Sequence, residues 1–135
     1  NHCPISNKGR AEIANRYKGA VFLRIHANGD LNPATSGILT MCPASDNPYV
    51  PDIIGDSKRL SQLVLDQMLK STGAKSKGII ETNKMSGINW CKIPVTIIEM
   101  GFMSNPEEDR LMQTEDYQDK LAEGISDGVD RYFGI

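Results

Sequence analysis

Two short runs constrain the fold of this chain more than anything else in it: "AVFLRIH" (20–26) and "IPVTIIEMG" (93–101). Both are almost unbroken in apolar residues, and the second is β-branched from Val95 to Ile98. Runs this short and this apolar predict strands covered on both faces, as strands of a parallel sheet are. Pro94 fits at a strand's first residue. The segments between them read as helices, strands and loops in alternation, which is the pattern of a single α/β domain of three layers: a twisted, mostly parallel sheet flanked by helices.

The helical coverings have clear punctuation. "SNKGRAEIANRYKG" (6–19) begins with Ser6 or Asn7 as a cap and ends at Gly19, with Ala11, Ile13, Ala14 and Tyr17 as its inward stripe. "GDSKRLSQLVLDQMLKSTG" (55–73) predicts a helix capped by Asp56 or Ser57 and closed by Gly73, burying Leu60, Leu63, Val64 and Met68. "SNPEED" (104–109) is a helix start: Ser104 or Asn105 as cap, Pro106 at the first helical position, and three acids in the first turn that suit the helix dipole. The last helix, within 114–134, buries Tyr117, Leu121, Ile125 and Val129. "SGILTMC" (36–42) reads as a strand, and "CPASDNPYVPD" (42–52), with three prolines, as a loop. Residues 74–90 carry strand-like pieces broken by Gly78 and Gly87.

Composition excludes several classes. The 135 residues have a net charge of −2, so nothing draws the chain to nucleic acid or an anionic membrane. No apolar run reaches the length of a membrane span. The opening "NHCPIS" has no signal-peptide character, and a first residue of Asn points to a piece of a longer product. Cys3, Cys42 and Cys91 follow no CxxC spacing; they read as small buried hydrophobes, with a Cys42–Cys91 pair as the open alternative, and they leave the compartment undetermined.

Each of the two strands ends in a polar residue, His26 in one and Glu99 in the other. In open α/β sheets, sites form outside the carboxyl ends of strands, so parallel strands would bring these two to one edge. A histidine there suits zinc or proton transfer, and a carboxylate suits a general base. The plainer alternatives are a hydrogen-bonded histidine and a Glu99 paired with an arginine such as Arg24. Asn28 either orients the loop beyond His26 or makes its turn. His2 reads as solvated, Glu107, Glu108 and Asp109 as first-turn electrostatics, and Met85 and Trp90 as packing or cleft residues.

"GRAEIAN", "VFLRIHAN", "IPVTIIEMGFMSNPEE" and "YQDKLAEGISDGVDRYF", in this order and spacing, resemble the zinc-dependent N-acetylmuramoyl-L-alanine amidases of the amidase-3 family, bacterial cell-wall hydrolases, over essentially the whole chain. The resemblance implies a zinc held by two histidines and a glutamate, with His26 as the last of these ligands and Glu99 as the catalytic glutamate. It implies hydrolysis of the amide between N-acetylmuramic acid and the L-alanine of the stem peptide, with peptidoglycan as partner. It also implies a secreted or wall-associated location, and leaves room for further wall-binding domains in a full-length protein. Asn28 and Asn89 are the candidate substrate contacts; Asn89 stands where many relatives carry an arginine.

The family's first two ligands, in a "GHGG"-like strand end and the segment after it, have no counterpart before Gly9–Arg10, and His2 does not match a ligand position. Residues 1–135 therefore read as the C-terminal two-thirds or so of the catalytic domain. The favoured expectation is a longer protein whose first part supplies the remaining ligands. The alternatives are a swapped pair of chains and a degenerate relative that only binds the wall, with a zinc carboxypeptidase-like enzyme as a weaker reading.

Overall fold

In the computed structural model, which describes residues 4–135, a four-stranded sheet runs in the order β1–β4–β2–β3. Its strands are β1 (Phe22–Asn28), β2 (Ile38–Pro43), β3 (Ser76–Thr82) and β4 (Val95–Phe102). β1 pairs parallel with β4 and β2 parallel with β3, while β2 and β4 meet antiparallel. The sheet is thus mostly parallel, as the apolar runs predict. His2 and Cys3 lie outside the described residues.

Helices cover both faces. α2 (Ile54–Thr72) and α5 (Glu115–Phe133) pack on one face through Leu60, Val64, Met68, Leu121 and Ile125, against Ile38 and Ile98. α5 comes so close to α2 that a Cβ on Gly124 would lie 2.6 Å from Met68 Cα, and one on Gly128 2.5 Å from Val64 Cα. Only glycine permits this approach. The other face is covered more thinly, by α1 (Asn7–Ala14), the single-turn α3 (Ser86–Asn89) and a 3₁₀ turn at Pro51–Ile53, around a second core of Val50, Ile53, Ile88, Cys91, Val95 and Ile97.

Several local expectations are corrected. α1 stops at Ala14, capped by Asn15, so Gly19 belongs to the following turn; Ile13 and Tyr17 are exposed instead of facing inward, and Ala11 alone in this helix is buried. α2 begins one turn early because the 3₁₀ turn feeds straight into it. Ser57 does not cap it; its hydroxyl accepts from Val95 N at 3.0 Å, tying the helix to the start of β4. Cys42 and Cys91 are both buried and free, so the disulfide alternative is excluded for them. α4 (Pro106–Met112) starts as expected, with Asn105 Oδ1 accepting from the amides of Glu107 and Glu108.

Candidate active site

The parallel pairing of β1 with β4 sets His26 directly opposite Glu99 in register. Alternation along β4 sends Ile97 and Glu99 to the face under α1 and α3, and Ile98 to the α2/α5 face. His26 Nδ1 and Glu99 Oε1 are 3.8 Å apart, too long for a hydrogen bond. Glu99 is 7% exposed, and its Oε2 is buried with no partner among the described residues.

The two groups do not form an ion pair. Mutual attraction would raise the imidazole pKa and lower the carboxyl pKa, and both move the other way. Burial, then the positive charges of Arg24 and Arg10, hold His26 below its usual value. Burial pushes the Glu99 carboxyl up. The imidazole is therefore neutral near pH 7, the form that binds metals. The carboxyl is shifted toward the range where proton transfer is effective.

Arg24 is not Glu99's partner. It lies on β1, two residues before His26, 6% exposed, with Nη2 donating to Asn7 Oδ1 at 2.7 Å, and forms no ion pair among the described residues. Asn28 makes the turn beyond the strand: its Oδ1 accepts from Gly29 N at 2.8 Å, and its carbonyl accepts from Met103 N. Asn89 lies away from this edge, in α3, its amide engaged by Asn83 and Asn47.

One residue of the site's frame goes beyond what its sequence context suggests. Glu108 is more than a first-turn acid. Its Oε1 accepts from Gly37 N at 2.5 Å and its Oε2 from Phe102 N at 2.6 Å. It thereby clamps the end of β4, three residues past Glu99, to the residue before β2. The β1–β4 register shifts between His26 and Asn28, and the carboxylate takes up the Phe102 amide just beyond that irregularity. Gly101, at φ 155°, brings the strand end within reach; a Cβ there would lie 3.0 Å from Glu108 Oε2.

Among the described residues, no three His, Cys, Asp or Glu side chains gather into a metal-holding group. β1 is an edge strand with one neighbour. Ile13, Phe22 and Ile25 line a cavity of about 360 Å³ beside it that reaches His26.

A mostly parallel sheet between helix layers, with histidine and glutamate facing each other at adjacent strand ends, defines an α/β domain with a strand-end His–Glu site. The chain belongs to the N-acetylmuramoyl-L-alanine amidase family, whose model matches residues 2–131. A germination-specific N-acetylmuramoyl-L-alanine amidase of Bacillus subtilis (strain 168) is 30% identical over 126 residues, which cover 92% of this chain and 49% of that protein. The solved N-acetylmuramoyl-L-alanine amidase of Clostridium difficile 630 is 32% identical, with a TM-score of 0.83 over 96% of this chain and 66% of that one. The catalytic domain of CwlV, from Bacillus (Paenibacillus) polymyxa var. colistinus, is 28% identical with the same TM-score and coverage. The chain spans about half the length, or less, of the curated relatives it matches.

Proposed function

We propose that the full-length protein hydrolyses the amide between N-acetylmuramic acid and the L-alanine of the peptidoglycan stem peptide, on the wall side of a bacterial cell. The observation that carries this is the facing pair of a neutral His26 and a buried Glu99 in a chain of the amidase family. Glu99 takes the proton of the attacking water and returns it to the leaving amine of L-alanine. Its burial keeps the carboxyl away from bulk water, which raises its basicity at the moment of attack.

The donor set fits zinc in kind but supplies only part of a site: His26 is a suitable ligand, and a catalytic zinc needs three protein ligands. When bound, zinc acidifies water and polarises the scissile carbonyl. The remaining ligands are assigned to polypeptide outside these residues, carried by a strand along the open edge of β1. Exposed Ile13 and Ile25 flank that edge and give such a strand an apolar seat.

The test is release of stem peptides from purified cell wall by the full-length protein, with zinc content measured alongside. Glu99→Gln is expected to lose about 100-fold or more in rate while keeping its zinc. His26→Ala is expected to lose the zinc. Full activity in Glu99→Gln refutes the assigned role. Wall binding by the wild type without cleavage would identify a non-catalytic binding module instead.

A further inference from the structure

A second cavity, of about 530 Å³, opens on the same face of the sheet but at its opposite end. It lies between the loop after β2, the residues just past β3, and the segment between α3 and β4. β2 runs antiparallel to β4, so the ends of β2 and β3 sit beside the start of β4, away from His26 and Glu99. Val95 and Glu99 are four residues apart on β4, which puts the cavity beyond about 13 Å from the candidate active site.

Two aromatic rings border it: Trp90, 48% exposed, and Tyr49, 66% exposed. The backbone that carries each is tied down. Tyr49 N donates to Asn47 Oδ1, and Asn47 Nδ2 donates to Asn89 Oδ1 at 3.0 Å. Asn89 Nδ2 donates to the Asn83 carbonyl at 2.8 Å, and Asn83 Nδ2 to Asp46 Oδ1. The Trp90 carbonyl accepts from Asn15 Nδ2, and Lys8 Nζ lies 4.2 Å from the centroid of its ring. This amide chain gives Asn89 and the "SGINW" motif a job: they frame the cavity. Asn83 lines the cavity, and its buried Oδ1 has no hydrogen-bond donor among the described residues.

We propose that this cavity binds a sugar ring of the glycan strand. Two exposed aromatic rings on a hydrogen-bonded backbone, with hydroxyl and carboxamide groups in the lining and no carboxylate, suit a neutral polyhydroxylated ligand whose C–H face stacks on a ring. The charge pattern does not suit a cation: Lys84 and Lys92 stand in the lining. The distance from Glu99 places the bound sugar a few residues along the strand from the muramoyl unit being cut. This rests on the peptidoglycan reading above, and makes the cavity an anchor that holds the polymer without touching the reacting bond.

The experiment uses the full-length protein labelled with 5-fluorotryptophan, the Trp90 resonance being assigned with Trp90→Phe, and β-1,4-linked N-acetylglucosamine tetramer as the probe. Maltotetraose is the control. The Trp90 resonance should shift saturably with the N-acetylglucosamine tetramer alone, and Tyr49→Ala should weaken that binding about five-fold or more. Cleavage of intact wall by Tyr49→Ala should fall with KM raised and kcat kept, while its cleavage of a muramyl peptide lacking glycan should match the wild type. An unmoved Trp90 resonance at millimolar tetramer, or equal affinity in Tyr49→Ala, overturns the proposal. Failure of the wild type to cleave either substrate would instead overturn the amidase reading, since the resonance shift needs no catalysis.

Discussion

Replacing Glu108 by alanine removes the acceptor of two backbone amides at once, Gly37 N at 2.5 Å and Phe102 N at 2.6 Å. Hydrogen bonds to a charged group contribute roughly 1.5–3 kcal/mol each, so the pair sums to about 3–6 kcal/mol. Glu108 is half-buried, and water entering the gap recovers part of this. A local loss of about 2–4 kcal/mol remains. Amide hydrogen exchange reads it directly: the Gly37 and Phe102 amides should exchange roughly 30- to 700-fold faster in Glu108→Ala than in the wild type. Glu108→Gln should recover little, since its amide keeps one acceptor and turns a donor toward the second N–H. The control is Glu107→Ala. Glu107 carries the same charge in the same first turn, but it is exposed and its partner is Arg110, at 2.8 Å. If the acidic cluster served only the helix dipole, the two alanine variants would behave alike, and equal exchange rates in both would refute the clamp. Because Glu99 lies three residues before Phe102 and pairs in register with Leu39 of β2, loosening the clamp should also lower kcat more than it raises KM.

Two further predictions concern the rest of the fold. Gly128→Val should cost about 3 kcal/mol in urea unfolding, at the upper end of overpacking, because the obstacle is the Val64 backbone and not a side chain that can move. Gly55→Ala, in α2 with nothing within 4 Å of the added Cβ, should be neutral or slightly stabilising; equal losses in both would refute the close-approach argument. In a Cys3→Ser background, Cys42 and Cys91 should resist a thiol reagent at pH 8 until the protein unfolds, since burial pushes both thiols up to about 11; rapid labelling of the native protein would refute this.

β4 was legible in the sequence because burial on both faces leaves an unbroken apolar run; β1 keeps such a run although it is an edge strand with Ile25 half exposed, and β3, on the other edge, leaves no such run. Register was not legible: "RIHAN" and "IIEMG" say that two polar residues sit at strand ends, while the facing of His26 with Glu99 depends on β1 and β4 being neighbours. The first helix misled because Ile13 and Tyr17 keep helical spacing with Ala11 and Ala14, yet they sit beside the open side of β1, where no other element of the described chain covers them. Periodicity reports which residues share a face and says nothing about whether that face is covered. Glu108 was misjudged for a related reason. A glutamate in a first helical turn has a sufficient local explanation, and its contact with Gly37 spans 71 positions, which no local pattern encodes.

The site's electrostatics follow from where the chain puts its charges. Arg24 and Arg10 both act on His26 to disfavour its protonation, and Arg24, deeply buried, donates its hydrogen bond to neutral Asn7 instead of to a carboxylate. A buried guanidinium answered by Glu99 would have lowered the carboxyl pKa and tied up the unpartnered Oε2. With Arg24 turned to Asn7, its positive charge still bears on the imidazole, and burial dominates at Glu99. Arg24 thus helps keep the His26 lone pair free and leaves the Glu99 carboxyl able to accept a proton. A hydrogen bond from Arg24 to Glu99 would undo the second of these. The polar contact between α1 and β1 accordingly bears on the electrostatics of the proposed site, although neither Asn7 nor Arg24 lies at the strand ends.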